Sequence, residues 1–123
     1  MKNYKAFLKD LNKTVDVAEI NFHDQTITWI DYDVWTKEHV KEIESFDDVE
    51  IMEPTGLVDS NENYIYNKDV ALEILTDEYG EIVFNDGAYY LKIGDWYDLL
   101  SDVNNCIKIH GNIFENKELL GGR

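Results

Sequence analysis

The sequence holds one cysteine, one proline and one arginine, at Cys106, Pro54 and Arg123. A lone cysteine excludes an internal disulfide framework. Gly80, Gly87, Gly94 and Gly111 stand isolated at expected turns or caps, so no glycine-rich loop exists to cradle a phosphate. No apolar run reaches the length of a signal peptide or a membrane span. Cytoplasm, of a bacterial cell or a phage-infected host, is therefore the expected location. Lysine outnumbers arginine ten to one, and Asn and Ile are frequent, as an AT-rich coding sequence would produce. A low-GC bacterium, its phage or a mobile element is the origin this composition suggests.

What the chain has in excess is negative charge. Its 123 residues carry 26 Asp and Glu against 11 Lys and Arg, a net charge of −15 and a pI near 4.3. Hydrophobic content of 44% and aromatic content of 13% exclude a disordered acidic tail. The length suits one cored domain over 1–123. The charge argues against direct binding to nucleic acid or to an anionic membrane. It is also uneven. Residues 1–13 carry +3, residues 14–103 carry 23 acids against four lysines, and residues 104–123 carry +1.

Periodicity and punctuation predict an α+β fold: a mainly antiparallel sheet built from hairpins, with three to four helices packed on it. Tyr4, Phe7, Leu8 and Leu11 fall at helical spacing over 2–13, opposite a stripe of Lys2, Lys5, Lys9 and Lys13. Residues 15–22 and 26–32 read as strands around a His23-Asp24-Gln25 turn. Asp33 reads as the cap of a helix over 34–46, with Val40, Ile43 and Phe46 inward. Residues 49–52 alternate like a strand that Pro54 and Gly56 end, and 57–58 can pair with 64–66. Asn67, Asp69 and Gly80 punctuate a third helix with Ala71, Leu72, Ile74 and Leu75 on its apolar face. Residues 81–84 and 88–93 flank Asp86-Gly87 as a hairpin. Asp95 reads as the cap of a short helix that buries Trp96, Leu99, Leu100 and Val103. Residues 106–109 form a last strand, and the tail 119–123 reads as loose.

Catalytic and metal-binding patterns are scarce. His23, His39 and His110 lie on different elements, with no HExxH or CxxC spacing. Asp59 to Asn63 begins like a calcium loop, but Tyr64 stands where such a loop needs Gly and Val70 where it needs Glu. Cys106 lies in an apolar strand pattern and reads as a buried structural thiol. No cofactor, no metal and no enzymatic activity are expected.

Clustering decides what the charge can do. Spread over the roughly 6,800 Å² of a folded chain this size, −15 gives about one charge per 450 Å². Duplex DNA carries about one per 110 Å² of a cylinder roughly 10 Å in radius. Imitating DNA requires the acids to share a face. Asp77 and Glu78 near the end of the third helix, Asp102 near the end of the short one, and Lys2 and Lys5 at the start of the first all oppose a helix dipole. Local costs of that kind point to constraint from elsewhere. Asp31-Tyr32-Asp33-Val34-Trp35 and Asp95-Trp96-Tyr97-Asp98 also interleave rings with carboxylates, as interfaces do. The expected partner-binding surface comprises Asp31, Asp33, Trp35, Glu38, Glu42, Glu44, Asp47, Asp48 and Glu50, with Asp59 and Glu62, and Asp77, Glu78 and Glu81.

The favoured expectation is a non-enzymatic inhibitor that covers the basic, nucleic-acid-binding surface of a partner protein such as a nuclease. By charge and size it is similar to acidic phage proteins that block restriction or CRISPR enzymes, with no shared motif. The alternatives are an immunity protein that caps a toxin nuclease, an accessory domain whose acidity serves only solubility, or a small enzyme or metal-binding protein with scattered carboxylates.

Overall fold

The computed structural model describes residues 3–121. Strands occupy 57% of them, and every strand pair is antiparallel. The one helical segment, Leu100–Cys106, is a four-residue α-helix, α1 (Leu100–Val103), continued by a 3-10 turn. Two further 3-10 turns span Phe46–Asp48 and Lys117–Leu120. The expected α+β fold with three to four helices is overturned: this is an antiparallel β protein.

Two compact units divide at Glu53–Pro54. In the first, β1 (Lys5–Leu8) lies between β2 (Lys13–Asp16) and β6 (Val49–Met52). A second sheet runs β3 (Glu19–Asn21), β4 (Thr26–Asp33), β5 (Glu38–Ser45). Its core gathers Ala6, Leu8, Val17, Ile27, Trp29 and Val49, with Val15, Ile20, Phe46 and Ile51 packed against them.

The second unit holds a two-stranded pair, β7 (Pro54–Val58) with β8 (Tyr64–Tyr66). It also holds a five-stranded sheet in the order β12-β11-β10-β9-β13. These strands are β9 (Asp69–Glu73), β10 (Glu78–Asn85), β11 (Ala88–Ile93), β12 (Trp96–Leu99) and β13 (Ile107–Asn112). Ile65, Ala71, Ile82, Leu91, Leu100 and Ile107 are fully buried together as its core.

Three expected helices are strands, for identifiable reasons. The first is the β1–β2 hairpin, turned at Asn12 with φ 51°; residue 2 of that expectation lies outside the described residues. Its Phe7-Leu8 pair is a short apolar run of a central strand, which periodicity cannot separate from a helix face. The second is β5, whose Glu- and Lys-rich sequence favours helix until eight cross-strand pairs with β4 override it. The third is the β9–β10 hairpin, turned at Asp77 with φ 58°. Asn67 and Asp69 cap no helix: Lys68 has φ 75° in a tight turn, and Asp69 accepts a hydrogen bond from the Tyr66 N–H at 2.8 Å. With these helices gone, the dipole penalties read for Lys5, Asp77 and Glu78 vanish. In place of the fourth, residues 96–99 form β12, and only residues from Leu100 are helical.

Two glycines have opposite roles. Asp86 (φ 48°) and Gly87 (φ 84°) form the mirror-image turn that closes the β10–β11 hairpin. Gly80 sits inside β10 and caps nothing. A Cβ there would lie 2.7 Å from the Lys92 carbonyl oxygen and 2.7 Å from Ile93 Cγ1. We expect Gly80→Ala to cost about 1–3 kcal/mol, seen as a lower urea midpoint with an unchanged slope; an unchanged midpoint would show that β11 yields without strain.

Candidate interaction surface

Nine of the fourteen expected partner-binding residues lie in the first unit, and five of these share one face of one hairpin. In the β4–β5 ladder the cross-strand partners are Ile27 with Glu44, Trp29 with Glu42, Asp31 with Val40 and Asp33 with Glu38. Directly paired residues point to the same side of a sheet. Asp31, Asp33, Glu38, Glu42 and Glu44 therefore occupy one face, with no lysine at any of its eight positions. The opposite face carries Thr28, Ile30, Tyr32, His39 and Ile43, and the only cation of the two strands, Lys41.

The base of this hairpin is fixed and its outer half is exposed. Ile27, Thr28 and Trp29 are buried, and the Trp29 indole donates to Glu44 Oε2 at 3.0 Å while Lys13 Nζ lies 4.7 Å over its ring. From Ile30 outward, Ile30, Asp31, Tyr32, Glu38, His39 and Val40 are exposed. At the tip, Asp33 Oδ1 accepts from the backbone N–H groups of Trp35 at 2.8 Å and Thr36 at 3.3 Å. That carboxylate shapes the loop as well as charging it. The loop leaves Trp35 92% exposed.

The remaining expected residues separate. Asp47 and Asp48 are exposed in a 3-10 turn. Glu50 sits 3.7 Å from Lys9 Nζ, which also donates to the Asp47 carbonyl, so a cation answers this corner. Glu62 is exposed in the loop after Asp59. Glu78 and Glu81, three residues apart in β10, point to opposite faces, with Asp77 in the turn beside them.

Asp59 is not a surface residue; it is 2% exposed. Its Oδ1 accepts from the N–H groups of Asn61 at 2.9 Å and Asn63 at 2.8 Å. Its Oδ2 accepts from the Ile109 N–H at 2.9 Å and the Asn63 side chain at 3.4 Å. The calcium-like opening of this segment is thus a loop folded around one carboxylate and fastened to β13.

Two more expectations reverse. Cys106 is exposed in the 3-10 turn before β13. Trp96 is 71% exposed on the edge strand β12, where its indole donates to Asp98 at 3.2 Å. The histidines stay apart: His39 lies against the Tyr32 ring at 5.2 Å, His110 against Tyr79 at 5.4 Å, and His23 is in an exposed turn. Among the described residues no group of three His, Cys, Asp or Glu comes together as a metal site, and no helix is long and apolar enough to cross a membrane.

Small antiparallel β proteins of this architecture include a protein of known structure. The crystal structure of protein EF1440 from Enterococcus faecalis superposes with a TM-score of 0.67, covering 98% of each chain at 22% identity. That likeness establishes the fold. The family follows from the sequence itself: residues 3–121 match YopX protein, and the chain belongs to that family, one of small phage-type proteins. No curated protein matches the chain.

Asp59 sets a pH dependence. Burial pushes its carboxyl up, but the N–H groups of Ile109, Asn63 and Asn61, with the Asn63 side chain, outweigh that and hold it below the ordinary 3.8. A depressed pKa contributes stability that is complete above the unfolded-state value and fades as pH falls through the folded-state value. Asp59→Ala should lower the unfolding free energy by about 2–3 kcal/mol near neutral pH. The gap between the two proteins should narrow in urea titrations below about pH 4; a constant gap would assign the loss to packing.

Proposed function

We propose that this protein is a non-enzymatic binding module whose acidic β4–β5 face docks on a basic, nucleic-acid-binding surface of a partner protein. One observation carries this reading: five carboxylates share one hairpin face whose eight strand positions hold no lysine, the nearest cation being Lys13 over Trp29 at its buried base. The base of that face is core, at Ile27 and Trp29; its outer half, with Asp31, Asp33 and Glu38, covers roughly 13 by 10 Å, so these three acids stand at about one per 45 Å². Duplex DNA presents about one per 110 Å². The whole-chain average falls far short of that density, and the outer half of this face exceeds it. Exposed Trp35 at the tip supplies the aromatic anchor that interfaces favour.

Such a module inhibits by occupying the surface on which its partner holds nucleic acid. A phage-borne anti-restriction or anti-CRISPR inhibitor acts this way, as does an immunity protein on a toxin nuclease. Membership of a phage-type family supports the setting. Attraction of this kind accelerates encounter and weakens with salt.

The test is calorimetric binding of decalysine, a defined basic probe, at about 50 and about 200 mM salt. Binding should weaken roughly tenfold or more at the higher salt. Asp31→Asn/Glu38→Gln/Glu42→Gln should weaken it by a similar factor at low salt, and Asp95→Asn/Asp98→Asn/Asp102→Asn should not. Equal losses from the two triple variants would mean that only net charge acts, which is the solubility reading.

A further inference from the structure

The β4–β5 hairpin has a second recognition element besides its acidic face. Three backbone bonds define which way β4 points its polar groups. The carbonyls of Gln25 and Asp33 accept from Phe46 and Lys37 on the β5 side, while that of Thr28 accepts from Ala18 on the β3 side. Direction alternates along a strand. The N–H and C=O of Ile30 and Tyr32 therefore point away from β5. β3 reaches β4 only at Thr26, Ile27 and Thr28, so nothing among the described residues continues the ladder beyond. The backbone groups of Ile30 and Tyr32 thus have no strand partner among the described residues, although the end of β2 lies beside the inner part of this edge.

A groove of about 540 Å³ runs beside this edge, lined by Val15, Asp16, Val17, Ile30, Tyr32 and His39 among others. Among the described residues no lysine or arginine lines it. We propose that this edge is a docking site for an extended peptide segment of alternating cationic and apolar residues, added to the sheet beside β4 as a further strand. The alternation follows from the register. Peptide side chains level with Ile30 and Tyr32 fall on the apolar, aromatic face, and those level with Asp31 and Asp33 fall on the carboxylate face. Charge complementarity selects Lys or Arg for the latter positions. Main-chain pairing supplies affinity and the alternating side chains supply selectivity, the usual division in strand addition. The outer edge of β5 is a poorer candidate: Glu38, Lys41, Glu42 and Glu44 stud it with mixed charge, a common guard on an exposed edge.

The inference deepens the acidic-face reading by naming the form in which a partner would be held, and its test separates the two. The probe is the capped peptide Lys-Val-Lys-Val-Lys, long enough to span the edge at about 3.3 Å per residue. The readout is amide hydrogen exchange by NMR on the unaltered protein. Binding should slow exchange at Ile30 and Tyr32 by roughly tenfold or more, and the same peptide N-methylated on its edge-facing amides should not. Tyr32→Pro, which removes an outward N–H and leaves the bonds to β5, should abolish the effect. Equal binding by the N-methylated peptide, or slowing confined to other amides, overturns strand addition and leaves the acidic-face reading standing. Failure of decalysine and of both peptides overturns both. If Ser-Val-Ser-Val-Ser slows the same amides equally well, the edge is a docking site and its preference for cations is overturned.

Discussion

Every strand in this protein depends on a neighbour for its hydrogen bonds. A helix satisfies its own backbone; a strand does not, and here the longest α-helix has four residues. The burden falls on the turns that bring strands together. Among the described residues, seven non-glycine residues take positive φ: Asn12, Gln25, Lys37, Glu62, Lys68, Asp77 and Asp86. All lie at the corners between successive strands, and the asparagine and aspartate among them tolerate that conformation best. The buried Asp59 carboxylate extends the same logic, since it accepts from N–H groups of its own loop and from the Ile109 N–H of β13, tying the two together. Backbone pairing is thus the constraint from which the two units follow, and hydrophobic burial consolidates what the turns arrange.

That constraint explains what could be read from the sequence. Residues 49–52 form a strand with those bounds, and Asp86-Gly87 closes its hairpin, because alternation and turn chemistry act locally there. The β3–β4 turn around His23-Asp24-Gln25 is legible for the same reason. The stretches 2–13 and 67–79 imitate helices because the short buried strands β1 and β9 carry apolar runs that also fit a helical stripe, and 34–46 imitates one because its exposed, Glu-rich sequence favours helix until β4 pairs with it. Asn12, Lys37 and Asp77 interrupted those stripes, and close polar turns at intervals of about ten residues were the available signal for an all-β chain. Gly80 misled in another way. A close backbone approach between strands demands glycine as strongly as a helix end does, and only β11 reveals which demand applies.

The acidic residues could be named from the sequence but not grouped. In a helix over 34–46, Glu38 and Glu42 share a face and Asp31 is remote. In a hairpin, register carries Asp31 and Asp33 across to join Glu38, Glu42 and Glu44. Change of period, from 3.6 to 2, is what turns a scattered list into a face. It also breaks up the corner at Asp77 to Glu81. The open edge at Ile30 and Tyr32 has no composition signal, because it depends on where β3 stops.

The three tryptophans sit at three depths. Trp29 is buried beneath Glu44 and Lys13, Trp96 lies on an edge strand with its indole tied to Asp98, and Trp35 stands clear at a loop tip. Their emission must therefore differ in colour and in access to a dissolved quencher. Iodide, itself an anion, is repelled where carboxylates crowd, while neutral acrylamide is not, so the ratio of the two quenching constants at Trp35 is an optical gauge of the local electric potential at the tip of the acidic hairpin.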